Sequence, residues 1–211
     1  MIEKLINEKL LEETKSKHVS SGKWKPSSFG YCYRRQFWQR LGEEGEPLDL
    51  RTLRIFKVGN LFHDFVEGFL PHTEQVVETD DIKGYADIVE NDCVSDIKTQ
   101  HSRAFWYAKK PEYDVKKEKE PNWLQVAWYA LQLGKKYCRI VFISKDDLTM
   151  NEYQFPAEDF KEKVDNELST LRNLWKNGVL PPATPRLYNG KECEWCQYQK
   201  KCKGEKNETK Q

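Results

Sequence analysis

The spacing of apolar positions changes along the chain. Residues 2–16 place Ile2, Leu5, Ile6 and Leu10 one helical turn apart, which predicts a helix. Residues 28–41, SFGYCYRRQFWQRL, read as a second helix carrying Cys32. Asp49 stands where it can cap a third, long helix running to about Leu70, where Pro71 stops it. The period then shortens. Segments 74–80, 84–90, 93–98, 137–144 and 150–155 are short and rich in β-branched and aromatic residues, which predicts strands. Helical spacing returns at 102–110 and 122–134. Residues 157–177 form a long amphipathic helix with Phe160, Val164, Leu168, Leu171 and Trp175 on one stripe, ended by Gly178. GVLPPATPRLYNGKE is a proline-rich loop, and the polar residues after Cys202 read as a mobile tail. There is no internal repeat. Helices, a strand cluster, then helix, strand, strand and helix give an α/β fold with a mixed central sheet flanked by helices. The 211 residues suit one domain with a substantial core.

Hydrophobic residues are 38% of the chain and charged residues 33%. No apolar run approaches the roughly 18 residues of a membrane span, and no membrane partner is expected. The opening MIEKLINEKLLEETK is broken by acids and lacks the apolar centre of a signal peptide, so a cytoplasmic protein is expected. A net charge of +1 excludes a uniformly basic nucleic-acid coat. Basic residues nevertheless cluster at Arg34, Arg35 and Arg40, at Arg51, Arg54 and Lys57, between Lys98 and Lys119, and at Lys200, Lys201, Lys203 and Lys206. Such patches can bind phosphates locally, although for any single one a solvated surface is the plainer reading. In a reducing compartment the six cysteines point to metal or redox chemistry before disulfides. Cys93 and Cys138 fall in apolar strands and read as small buried hydrophobes. Cys193, Cys196 and Cys202 form Cys-x2-Cys-x5-Cys, and Cys32 stands alone near the other end. Four thiolates can hold zinc or an iron–sulfur cluster, and with Cys32 as a ligand the centre would join both ends of the fold.

The richest segment is GYADIVENDCVSDIK. Asn91-Asp92 suits a hairpin turn between two alternating runs. With Glu90 opposite Cys93, Asp87 falls opposite Asp96, about 4.5–5.5 Å away at Cβ. Two carboxylates so close repel, and a divalent cation would resolve the conflict; oxygen ligands suit Mg2+ or Mn2+. Lys98, two residues past Asp96, shares its face. The alternative is a surface hairpin with two exposed acids. Gly59, His63 and Glu67 share one stripe of the third helix, where Gly59 would let something approach closely. His63 could be a third ligand or a satisfied, partly buried histidine, and Glu67 is a weaker candidate. Gln125 and Tyr129, also four apart, could meet a phosphate or a base edge, or form a half-exposed surface pair. Phe37 and Trp38 beside Arg34 and Arg35 could stack on unpaired bases or pack in the core. Trp195 and Tyr198 are expected to pack around the cysteines.

Taken together these residues resemble the PD-(D/E)xK nuclease superfamily in its RecB-like branch, and with the four cysteines the CRISPR-associated Cas-four nucleases and their phage or viral relatives. The pattern runs from Cys32 to Cys202, with Asp96 in place of the commoner glutamate and Tyr33 where relatives often carry proline. The resemblance implies a restriction-endonuclease-like core in a single nuclease domain over 1–205, a cluster subregion from about 24–45 and 185–205, and a flexible tail at 206–211. It implies divalent-metal ligation by His63, Asp87, Asp96 and the Ile97 carbonyl, with Lys98, Asp87, Asp96, Gln125 and Tyr129 as the catalytic set. Cys32, Cys193, Cys196 and Cys202 would hold an iron–sulfur cluster, 4Fe–4S favoured over 2Fe–2S or Zn2+. The implied function is metal-dependent DNA cleavage, as a single-strand exonuclease in CRISPR spacer acquisition or phage or viral DNA processing, with integrase or adaptation proteins as partners. The alternative is a non-catalytic DNA-binding adaptor for an integrase or recombination complex.

Overall fold

The structure is a computed structural model, and it describes residues 1–15, 20–70 and 73–208. Five strands form one mixed sheet in the order β1-β2-β3-β4-β5: β1 Thr73–Glu78, β2 Lys83–Val89, β3 Cys93–Gln100, β4 Tyr137–Ser144 and β5 Met150–Pro156. All neighbours are antiparallel except β3 and β4, which run parallel. A parallel pair needs a crossover, and three helices supply it: α4 Ser102–Tyr107, α5 Val115–Glu118 and α6 Glu120–Gln132. Before the sheet come α1 Ile2–Lys15, α2 Tyr33–Leu41 and α3 Leu50–Glu67; after it come α7 Lys161–Lys176 and α8 Gln199–Glu208.

Both faces of the sheet are covered. On one, Val94, Cys138, Ile140 and Phe142 join the large core with Trp123, Trp128, Leu168 and Leu171 of α6 and α7. On the other, Ile88, Ile97, Val141 and Ile143 meet Phe62 and Val66 of α3. Successive residues of β4 therefore serve opposite cores, which explains its unbroken apolar run IVFI. The Asp49 side chain accepts from Thr52 N–H (2.7 Å) and caps α3 as expected. Cys138 is fully buried and Cys93 nearly so.

Several expectations change. Cys32 is the residue that precedes α2, not part of the helix, because the chain before it makes a short 3-10 turn at Pro26–Ser28 and a left-handed Gly30. Phe37 and Trp38 are buried and cannot stack on bases: Phe37 packs against Trp24 and Trp175, and Trp38 against Tyr198. Of the apolar stripe on α1 only Leu10 is buried; Ile2, Leu5 and Ile6 face outward. A 3-10 stretch at Tyr188–Trp195 enters the expected loop, and α8 continues the chain through Glu208. Within the expected tail, 209–211 lie outside the described residues. Among the described residues no helix is long and apolar enough to cross a membrane.

Candidate metal and cysteine sites

The hairpin register places the two acids as the turn predicts. Glu90 N–H donates to the Cys93 carbonyl (2.9 Å), and Ile88 pairs with Ser95 and Val89 with Val94. The next step along this register joins Asp87 to Asp96. There the β2–β3 ladder stops, and the Asp87 carboxylate accepts from Ile97 N–H (2.7 Å) in place of a strand bond. His63 reaches in from α3, its Nδ1 3.7 Å from Asp87 Oδ2 and 3.8 Å from Glu67 Oε1. One ligand atom each from His63, Glu67 and Asp87 lies within 4.8 Å of the other two. Glu67 thus joins the cluster more directly than the sequence suggests. A Cβ on Gly59 would meet Thr99 Oγ1 at 3.8 Å, an ordinary contact, so close approach does not demand glycine there.

Asp96, expected as a ligand, is not part of this converging group; it is only 2% exposed and acts electrostatically on His63, and Asp87 acts on it. Lys98 Nζ stands 2.6 Å from Asp96 Oδ2 and is its charge partner, while Asp96 Oδ1 has no hydrogen-bond partner among the described residues. A cation beside that oxygen would satisfy its free lone pairs. Burial pushes the Asp96 carboxyl up to about 6; Lys98 pulls it down and Asp87 pushes it further up. Burial also raises Asp87, against the pull of Lys98 and the Ile97 N–H. Glu67 is raised by burial and by Asp87. His63 is lowered by burial and by Lys98, so the imidazole is neutral and able to donate a lone pair at neutral pH; a hydrogen bond to the Ile97 main chain opposes the shift. Burial alone would lower Lys98, but Asp96 and Asp87 outweigh it and keep the ammonium charged. Oxygen donors crowded into mutual repulsion, with one neutral imidazole, fit a divalent cation such as Mg2+ or Mn2+.

Gln125 and Tyr129 lie on α6, against the face of the sheet opposite α3. Both are buried, which overturns the half-exposed surface pair. Tyr129 Oη accepts from Tyr85 N–H (3.1 Å), and Gln125 hydrogen-bonds to the same hydroxyl. Burial raises the Tyr129 phenol, with Asp96 adding to it, so the hydroxyl stays protonated. Gly84 makes this contact feasible: a Cβ there would lie 2.4 Å from Tyr129 Oη and 2.9 Å from Pro26 Cδ. Tyr31, which the sequence did not single out, comes near enough to Lys98 to act on it electrostatically. No local pattern marks it; the chain just before Cys32 simply passes the site.

The four expected cysteines line one cavity of about 110 Å3, together with Arg34, Arg35 and Trp38. Among the described residues no three of their sulfurs gather within 4.8 Å of one another. Glu192, 3% exposed, fastens the two walls: its carboxylate accepts from Cys32 N–H (2.8 Å) and Arg186 N–H (2.9 Å). Tyr198 packs on Trp38, as expected of a residue near the cysteines, whereas Trp195 is largely exposed.

No protein-family profile matches the chain, and no curated protein matches it. Solved structures do resemble it. The protein described as SSO0001 is 21% identical, with a TM-score of 0.59, and the match covers 96% of each chain. LHK-Exo in complex with dAMP is 14% identical with a TM-score of 0.54, covering 74% of this chain and 89% of its own. A second structure of LHK-Exo, an alkaline exonuclease from Laribacter hongkongensis, matches at 13% identity and a TM-score of 0.48 over the same shares. At these identities the likeness is one of fold.

Proposed function

We propose that this chain is a metal-dependent DNA nuclease and that it acts on single-stranded ends as an exonuclease. The observation that carries the reading is the convergence of His63, Glu67 and Asp87 beside the buried Asp96–Lys98 pair. A DNA-binding adaptor has no use for carboxylates held against each other in a half-buried pocket, because anions repel the phosphate they would grip. The fold shared with LHK-Exo, an exonuclease by its description, is in keeping with the reading.

His63, Asp87 and Asp96, joined by Glu67 and the Ile97 carbonyl, would hold Mg2+ or Mn2+. The ion would polarise the scissile phosphodiester and lower the pKa of the attacking water. Lys98 would orient or activate that water, or steady negative charge as it develops. Tyr129, bonded to β2 through Tyr85, and Gln125 behind it set the position of the β2 backbone that carries Asp87. They are positioning residues in this reading.

Cys32, Cys193, Cys196 and Cys202 line one cavity and could hold an iron–sulfur cluster or Zn2+. The preference for the cluster rests on the resemblance of the cysteine spacing. The biological setting, spacer acquisition or phage or viral DNA processing with integrase or adaptation partners, rests on the resemblance of the motif order alone.

The test is cleavage of end-labelled single and double strands with Mn2+. Lys98→Ala and Asp87→Ala should each lose at least about 100-fold in rate while melting like the parent. Undiminished cleavage by either variant rejects the assigned site, and tight binding without cleavage by the parent in either metal favours the adaptor.

A further inference from the structure

Resting on the nuclease reading, we infer that two joined hollows beside Lys98 form a track that grips one unpaired DNA strand, with Trp106 and Tyr107 as its stacking platform. Phe105 is fully buried and anchors the short helix α4, while Trp106 and Tyr107 are 53% and 55% exposed. Two large neighbouring rings left in water are the informative kind of exposure. Cations flank both rings: Lys109 Nζ lies 4.3 Å from the Trp106 ring centre and Lys110 Nζ 5.1 Å from that of Tyr107. These rings and Arg103 line the first hollow. It shares His101 and Ala104 with the second, whose walls include Arg51, Thr99, Gln100, Lys119 and Lys145.

The second hollow lies at the C-terminal end of β3, next along the strand from Lys98, whose own side chain is not among its walls. Thr99 directly follows Lys98 on β3, and Lys119 lies over Phe142, the β4 residue paired with Lys98. No carboxylate lines either hollow, although acids number 34 against 35 Lys and Arg in the whole chain. Arg54, on the same wall, is held by Glu3. Arg51, Arg103, Lys119 and Lys145 line the hollows without a close ion pair among the described residues, although Arg51 and Lys119 feel Asp49 and Glu118 nearby.

The rings decide which nucleic acid fits. A duplex hides its base faces in its own stack and offers the protein phosphates and groove edges. An unpaired strand offers a π-face at every base, and exposed aromatics beside a cationic groove are the elements that bind it without sequence preference. The cations would follow the backbone while Trp106 and Tyr107 take bases, directing the strand end towards Lys98.

The experiment is a binding titration by fluorescence anisotropy in a Lys98→Ala background, with a labelled oligothymidine and a duplex of equal length. Trp106→Ala should weaken single-strand binding about 10-fold and Trp106→Phe should recover most of it, with duplex binding changed less than about 3-fold. Lys145→Ala should weaken both ligands and flatten the dependence of log Kd on log salt by about 0.7 for the single strand. Single-strand binding untouched by Trp106→Ala, or equal losses on strand and duplex, overturns the inference. A parent protein that cleaves no DNA would instead refute the nuclease reading; the binding series decides the track in either case.

Discussion

Asp96 is buried with Lys98 as its charge partner, and its proton competes with any cation the site binds. Its carboxyl is raised to about 6 by burial and by Asp87, against the pull of Lys98, and ligation requires the anion. The sign follows. Above about pH 7 Asp96 is already ionised and Mn2+ affinity should be flat. Below about 6 each ion must displace a proton, and affinity should fall about tenfold per pH unit, as read by the Mn2+ EPR signal. A constant affinity down to pH 5 would show that Asp96 does not ligate. Gly84 makes a second prediction at this scale. Gly84→Ala drives a methyl into Tyr129 Oη and Pro26, both set in packed surroundings. It should cost about 1–3 kcal/mol in urea unfolding and slow cleavage more than Lys98-independent DNA binding. Asp87, Asp96 and Lys98 were legible because a hairpin turn sets register by symmetry. That Glu67 meets His63 and Asp87 was not legible, because helical spacing reports a shared stripe and not its distance from a strand distant in sequence.

At the scale of elements, α2 and α7 are joined through a buried carboxylate. Glu167 of α7 accepts from Gly30 N–H (3.0 Å), Gln36 Nε2 (3.1 Å) and Tyr33 Oη (3.2 Å), and Arg186 Nη1 lies 2.8 Å from it. The Glu167 side chain is 2% exposed, so removing its cation strands a charge in the interior. Arg186→Ala should destabilise the fold by about 3 kcal/mol in denaturant titration, and Arg186→Ala with Glu167→Gln should recover part of that loss. Nothing local announces this network, since its members come from positions 30 to 186. The elements themselves were mostly readable. Strand and helix periods located all five strands and the long helices, because burial imposes those periods on any segment that contributes a face. Helix α5 was missed, being only 4 residues long, and α8 was missed because its polar sequence carries no apolar stripe.

Over the whole molecule, Cys32 from the chain's beginning and Cys193, Cys196 and Cys202 from its end line one cavity, where the proposed cluster would join them. An anaerobic preparation should therefore show iron–sulfur absorption in the visible, and Cys202→Ser should bleach it. The same substitution should expose the segments 24–45 and 185–205 to limited proteolysis while the sheet remains protected. A colourless protein with stoichiometric zinc would reject the cluster and leave the nuclease reading intact. The sequence by itself determined the alternation of helices and strands, the hairpin register and the spacing of the thiols, because each depends on neighbours within a few residues. Only the tertiary structure decided that Trp38 and Phe37 are core while Trp106 and Tyr107 face solvent, that Tyr129 is buried against Gly84, and that His63 and Glu67 meet Asp87. Those outcomes depend on which faces of distant elements bury one another, and an aromatic or titratable side chain suits either environment until that packing is set.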